Sequence, residues 1–210
     1  MIIAIEAAAT DLSLALAWPD GRELARDGWT ADQRRTHELL PRLLALIDRS
    51  GHALEETSAL AVGIGPGSFT RLRVAISIAK GLAFALERPI VAVPSLAAWL
   101  DAEPDARFAL ARAGASEAFL LDRASGELRV VGQEEAVEAG GPGVVATELA
   151  EAFGMSATRP PFAAAATIAR IAADRLAVEP AGDDLETLEP GYLRGPRGIG
   201  QEQEGAVRWL

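Results

Sequence analysis

The chain contains no cysteine. That excludes a disulfide framework, a thiolate zinc site and thiol catalysis. Only two histidines, His37 and His52, are present. They leave little material for a histidine metal site or a Ser/His relay. Basic charge is scarce: 20 Lys+Arg stand against 30 Asp+Glu, a formal net charge of −10. An independent nucleic-acid binder needs positive charge to displace phosphate counterions. Contact with RNA is therefore left to a local basic patch inside a larger complex. No apolar run reaches the roughly 20 residues of a membrane span. The opening residues carry no leader pattern, so the sequence predicts a cytoplasmic protein. What is present is a chain of 210 residues, half of them hydrophobic. That suffices for one large domain or two small ones around a real core.

The opening reads as a β-meander. Ile2-Ile3-Ala4-Ile5 is a short, wholly apolar run, as in a buried strand. Leu12 to Ala17 gives a second strand, Pro19-Asp20-Gly21 a turn, and Glu23 to Trp29 a third strand. Leu39, Leu40, Leu43, Leu44 and Ile47 recur at helical spacing, and Gly51 marks the stop. Strands follow at Ala59 to Ile64 and Ile90 to Val93, with a long helix from about Ser68 to Leu86 between them. The second half predicts short strands at Phe108 to Ala111, Ala118 to Leu121, Leu128 to Val131 and Val144 to Thr147. An Ala-rich helix spans Ala163 to Val178, and an extended tail ends the chain. This order is mixed α/β. The acidic cluster Asp101, Glu103 and Asp105 around Pro104 places a boundary near 103, giving segments 1–103, 104–194 and 195–210.

Gly63-Ile64-Gly65-Pro66-Gly67-Ser68-Phe69-Thr70 joins a strand to a helix. One reading is a phosphate loop, since glycines bring N–H groups near a ligand and a helix N-terminus attracts anions. The other is a tight turn with Ser68 as N-cap. The pattern favours the turn: no Walker lysine follows, because Lys80 falls well inside the helix, and the spacing is not that of a dinucleotide fingerprint. The helix itself is apolar on two faces, Leu72, Ile76, Ala79, Ala83 and Leu86 on one and Val74, Ile78, Leu82 and Ala85 on the other. It must be buried on more than one side, under its sheet and under either a second subdomain or a partner protein.

Gly65 to Arg73 and the following Ala79-Lys80-Gly81-Leu82-Ala83 resemble the signature of the TsaB, or YeaZ, family. So do Thr36-His37-Glu38-Leu39-Leu40-Pro41, Pro94-Ser95-Leu96 and Pro190-Gly191-Tyr192-Leu193-Arg194. The resemblance is close up to about residue 100 and loose beyond. It implies an actin-like (ribonuclease H-like) ATPase fold of two related subdomains, the second reduced, with glycoprotease-like relatives. It implies a non-catalytic subunit of the machinery that makes N6-threonylcarbamoyladenosine in tRNA. That subunit binds and activates TsaD, the relative that holds the metal and performs the transfer. The contact surface would be the two helices at about 37–49 and 69–86, with His37, Glu38, Leu40, Phe69, Arg73, Ile76, Ser77 and Lys80 facing the partner. Gly65, Pro66, Gly67, Ser68 and Thr70 would shape the helix start. On this reading Ile76→Arg would abolish partner binding and leave the fold intact. The same surface would form a homodimer when the chain is alone. Other subunits of the complex could join, and tRNA would be met only indirectly. No cofactor is implied in the isolated chain, with ATP or ADP allowed at the interface shared with TsaD.

Three departures from the family pattern argue against independent ATP binding or hydrolysis. Glu6-Ala7-Ala8 replaces an Asp-Thr-Ser/Ala start, Arg71 stands where the family usually has glycine, and the segment Ala111-Arg112-Ala113-Gly114 keeps only part of a longer motif. The alternative is a stand-alone nucleotide-dependent kinase or hydrolase of the same fold. Other residues carry paired readings. His37 beside Glu38 is a base with its orienting acid or, more simply, a helix start. Asp11 is a turn acid or faces a nucleotide-bound metal. His52, Asp183-Asp184, Glu202 and Glu204 read as solvated, and Trp209 as an anchor or a plain tail residue.

Overall fold

A computed structural model describes residues 1–31, 36–156 and 158–191. The tail 195–210, with Glu202, Glu204 and Trp209, and the motif residues Tyr192, Leu193 and Arg194 lie outside the described residues. The first half forms β1 (Ile2–Glu6), β2 (Asp11–Ala17), β3 (Glu23–Thr30), α1 (Leu39–Arg49), β4 (Ala59–Gly63), α2 (Phe69–Leu86), β5 (Ile90–Val93) and α3 (Ser95–Ala102). Its sheet runs β3-β2-β1-β4-β5. The β1–β2 and β2–β3 pairs are antiparallel, and the β1–β4 and β4–β5 pairs are parallel.

The second half repeats this plan. Its elements are β6 (Phe108–Arg112), β7 (Glu117–Asp122), β8 (Leu128–Gly132), α4 (Gln133–Glu138), β9 (Gly143–Val145), α5 (Thr147–Phe153) and β10 (Thr158–Arg159). The order β8-β7-β6-β9-β10 matches that of the first sheet strand for strand, with the same pairing directions. Two copies of one antiparallel-then-parallel sheet make the actin-like, ribonuclease H-like fold. The second copy is reduced to short helices and a two-residue last strand. The strand expected at 144–147 ends at Val145, and Thr147 instead opens α5.

Period-2 alternation explains how the first sheet is covered. Ile3, Ile5, Leu12, Leu14, Leu16, Leu60 and Val62 point to one face, where they meet Leu39, Leu43 and Ile47 of α1 and Ala75, Ile76 and Ala79 of α2. Ile2, Ala4, Ala15, Ala17, Ala59 and Ala61 point to the other. That second face is covered by α6 (Ala164–Val178), whose Ala165, Ala169, Ala172 and Ala173 are buried against it. Alanine on alanine lets the helix axis approach the sheet closely. Here the division at residue 104 is corrected. The 104–194 segment includes α6, which packs on β1, β2 and α3 of the first half rather than with the second sheet. The chain leaves the first half and returns to it.

After α6 the chain wraps the open edge of β5. Asp183 N–H donates to Ile90 O at 2.8 Å, and Asp183 Oδ2 accepts from Ala92 N–H at 2.6 Å. Arg175 grips the same carboxylate with both ends of its guanidinium, at 2.8 and 3.1 Å. Burial pushes the Asp183 carboxyl up, but these hydrogen bonds outweigh it and hold the group below its ordinary range. Asp183 is therefore a structural clasp and not the solvated charge its sequence context suggested. Farther on, Leu188 is buried beside α2, and Gly191 N–H donates to Ile64 O at 2.7 Å. Asp183→Ala removes two charge-assisted bonds and leaves the Ala92 N–H without its acceptor. We expect a loss of roughly 2 kcal/mol in denaturant unfolding. An unchanged midpoint would mean that the strap is held by Leu188 and its backbone bonds alone.

Candidate functional site

The inner end of β1 holds a buried acid. Glu6 is fully buried, and its Oε1 accepts the Ala8 N–H at 2.6 Å. Its Oε2 has no hydrogen bond of good geometry. Burial raises its carboxyl to about 7, against the opposing pull of the Ala8 N–H, Ser95 and Trp99. The Gly63–Ser68 loop packs over this point. A Cβ at Gly63 would lie 1.9 Å from Glu6 Oε2, and one at Gly67 would lie 2.2 Å from Ala8 O. The Gly65–Pro66 peptide is cis, and Ser68 N–H donates to Ala8 O at 2.7 Å. The glycines thus serve close backbone packing against the β1–β2 turn. Ser68 stands at the N-cap of α2 but makes no side-chain cap bond, so the expected capping is corrected. Its hydroxyl accepts instead from Arg71 Nη1 at 3.3 Å.

A cleft of about 440 Å³ opens where the two halves meet. Thr10, Ser68, Thr70 and Arg71 line it from the first half, Arg112 and Glu148 from the second. Glu148 accepts the Thr10 N–H at 3.1 Å and also the Thr10 hydroxyl. Asp11 is fully buried and joins the halves: Oδ1 accepts from Thr30 Oγ1 at 2.8 Å, and Oδ2 from Thr147 N–H at 2.6 Å. Asp11 is thus neither a turn acid nor a metal-facing one. It caps α5 from across the molecule. In this fold the β1–β2 turn is where a nucleotide's phosphates would be met. Here the Ala8 N–H is taken by Glu6 and the Thr10 N–H by Glu148, so the turn does not fit a nucleotide. Among the described residues, no group of three or more His, Asp or Glu side chains could hold a metal ion. Glu148 and Thr147 carry no local sequence signal, since their partners lie well over a hundred residues away in the chain.

The outer face of α1 and α2 is a separate feature. Both helices pack on one side of the first sheet and turn large apolar groups outward: Leu40 (38% exposed), Leu44 (45%), Phe69 (39%) and Phe84 (77%). Arg73 and Ser77 are exposed on the same side of α2, and Arg73 stacks over the Phe69 ring at 4.0 Å. His37 is exposed, and Glu38 pairs with Arg42 at 3.6 Å. Of the other expected partner-facing residues on α2, Lys80 is half-buried at the edge of this side and Ile76 is buried. Ile76 is 4% exposed and sits in the core below α2. Lys80 donates to Glu186 O and Leu188 O, at 3.3 and 3.2 Å, and so belongs to the strap. Leu44 and Phe84 were not singled out in the sequence, because the helices are apolar enough for either side to read as core. His52 is likewise engaged rather than solvated, with Nδ1 2.9 Å from Glu56 Oε2 and its ring edge-on to Trp18.

Comparison with known proteins agrees with this architecture. The family model described as "TsaD: tRNA N6-adenosine threonylcarbamoyltransferase" matches residues 30–177. TsaB of Escherichia coli (strain K12), a tRNA threonylcarbamoyladenosine biosynthesis protein, is 40% identical over 95 residues. That match covers 45% of this chain and 40% of the E. coli protein. TsaB of Haemophilus influenzae is 40% identical over 72 residues, covering 34% of this chain and 30% of that protein. The matched part thus spans less than half the length of these curated relatives. The solved structure of YeaZ from Pseudomonas aeruginosa superposes with a TM-score of 0.65 at 28% identity, covering 91% of this chain and 99% of that one. The match over residues 30–177 shows that the chain belongs to the tRNA N6-adenosine threonylcarbamoyltransferase (TsaD) family, and in sequence and fold it is similar to the TsaB (YeaZ) proteins.

Proposed function

We propose that the chain is a non-catalytic subunit in the formation of N6-threonylcarbamoyladenosine in tRNA, and that it binds and activates a TsaD-type transferase. The observation that carries this reading is the outward apolar face of α1 and α2. Leu44 and Phe84 stand 45% and 77% exposed on helices whose inner faces are already buried. Exposed aromatic and aliphatic groups flanked by Ser77 and Gly81 give a second helix pair room to approach. The role asks for no cofactor in the chain itself, ATP or ADP entering only at the interface shared with TsaD. In the absence of that partner the same face closes a homodimer, and tRNA is met only through the complex. No described helix is long and apolar enough to cross a membrane, which suits a subunit working in the cytoplasm.

Size-exclusion chromatography with light scattering tests the association. Alone, the chain should elute as a dimer. Mixed with the TsaD-type protein of the same organism, it should give a stoichiometric heteromer at the dimer's expense. Separate elution, with and without nucleotide, would reduce the relationship to one of fold.

A further inference from the structure

The second half covers its sheet with shorter helices than the first. α4 stands in chain order where α1 does, between the third and fourth strands, and has 6 residues against 11. α5 stands where α2 does and has 7 residues against 18. α4 packs on β7 and β8, and α5 on β6. In α4 only Ala136 is buried, and in α5 only Leu149 and Phe153. The missing turns leave a groove of about 840 Å³. Gln133, Glu134, Val137 and Glu138 line it from one face of α4, and Phe153 lines it from the end of α5. Val137 is 45% exposed. Apart from the outer face of α1 and α2, the large apolar side chains that stand exposed among the described residues are Val137 and Val178. Glu135 pairs with Arg129, but the Glu134 and Glu138 side chains have no hydrogen bond or ion pair among the described residues. No lysine, arginine or histidine lines the groove. It is an apolar surface with an unbalanced acidic rim.

We propose that this groove docks a basic amphipathic helix of another protein, with an apolar side chain against Val137 and Phe153 and Lys or Arg beside Glu134 and Glu138. The first half shows what completes the equivalent layer: α1, of about three turns, lies there with Leu43 and Ile47 turned inward. A helix from a partner completes the second half in the same way, by the helix-in-groove mode. The rim decides the sign. It selects a cationic partner and repels a phosphate backbone, so the occupant is a protein and not the tRNA. A second copy of the chain, at a net charge of −10, brings the wrong sign. The groove shares no residue with the outer face of α1 and α2 or with the cleft between the halves. The proposal is therefore independent of the subunit role above.

Selection from a displayed library of random peptides of about 12 residues, long enough for three helical turns, tests this on the whole chain. The selected peptides should carry Lys or Arg together with Leu, Ile or Phe at helical spacing. Synthesised, labelled and titrated by fluorescence anisotropy, they should bind the natural chain saturably and more weakly as salt rises. The double variant Glu134→Gln, Glu138→Gln should lose about tenfold in affinity, and Val137→Ser several-fold. Glu127→Gln, an exposed acid of the same half outside the groove, should bind as the natural chain does. The acidic and apolar variants are separate, so either carries the test if the other does not fold. No enrichment of basic peptides, or affinity unchanged in the groove variants, or an equal loss in Glu127→Gln, would overturn the proposal. So would a change in the chain's own mass by light scattering in the groove variants, since that would assign the groove to a second copy.

Discussion

A chain carrying both Leu44→Arg and Phe84→Arg should fold, melt as the natural protein does, and lose its partner. Both side chains are exposed, so neither substitution empties the core. At an interface each would place a desolvated charge where an apolar anchor had been. Together they should cost at least about 3 kcal/mol of association, on the order of a hundredfold or more in Kd. Ile76→Arg should do the opposite. At 4% exposure, the new guanidinium would enter the core between α2 and the first sheet. The expected loss is about 4 kcal/mol or more of folding stability, a large share of a typical domain's total. Thermal melting and light scattering on the two variants separate the effects. Retained partner binding in the double variant would remove the outer face of α1 and α2 from the interface.

The second large effect belongs to Glu6. Its carboxyl ionises near 7 in the folded protein against 4.5 for an ordinary glutamate, because burial disfavours the charge. Between those values the folded chain holds a proton that the unfolded chain has released, so stability falls as pH rises. The contribution is fully present below about pH 4.5 and gone above about pH 7. Glu6→Gln cannot ionise. The variant should match the natural protein near pH 4.5 and exceed it by about 3 kcal/mol near pH 8. Urea unfolding of both proteins across this range gives the difference directly, with every other titrating group cancelled. Parallel curves would mean that Glu6 keeps an ordinary pKa, with Ser95 and Trp99 solvating the carboxylate well enough to offset its burial.

Most strands could be read from the sequence because β-rich runs are bounded by clear turns. Ile2 to Ile5 and Leu128 to Val131 fall within a residue or two of β1 and β8. The short helices of the second half could not be read. Gln133 to Glu138 has little apolar periodicity, and Thr147 after Val144-Val145 continues a β-favouring run until the Asp11 carboxylate caps it as a helix. The return of α6 to the first sheet was equally hidden, since nothing in an alanine-rich helix says which sheet it faces. The site divides in the same way. Gly65, Gly67 and the α2 start are local features, and the sequence placed them. Glu148 against Thr10, Asp183 against Arg175 and Lys80 against the strap depend on chain returns that no local pattern encodes. Ile76 misled for a different reason: α2 is apolar on more than one face, so periodicity could not separate its core side from its outer side.

The most direct test of the proposed role is N6-threonylcarbamoyladenosine formation on tRNA, measured by mass spectrometry of the digested nucleosides. The TsaD-type protein of the same organism would be assayed, with the remaining components of the reaction supplied, in the presence and absence of this chain. A non-catalytic activating subunit predicts little product from the transferase without the chain, none from the chain without the transferase, and full product when both are present. It also predicts that the Leu44→Arg, Phe84→Arg chain fails to restore the product. Full activity of the transferase without the chain, or product from the chain without it, would contradict that role.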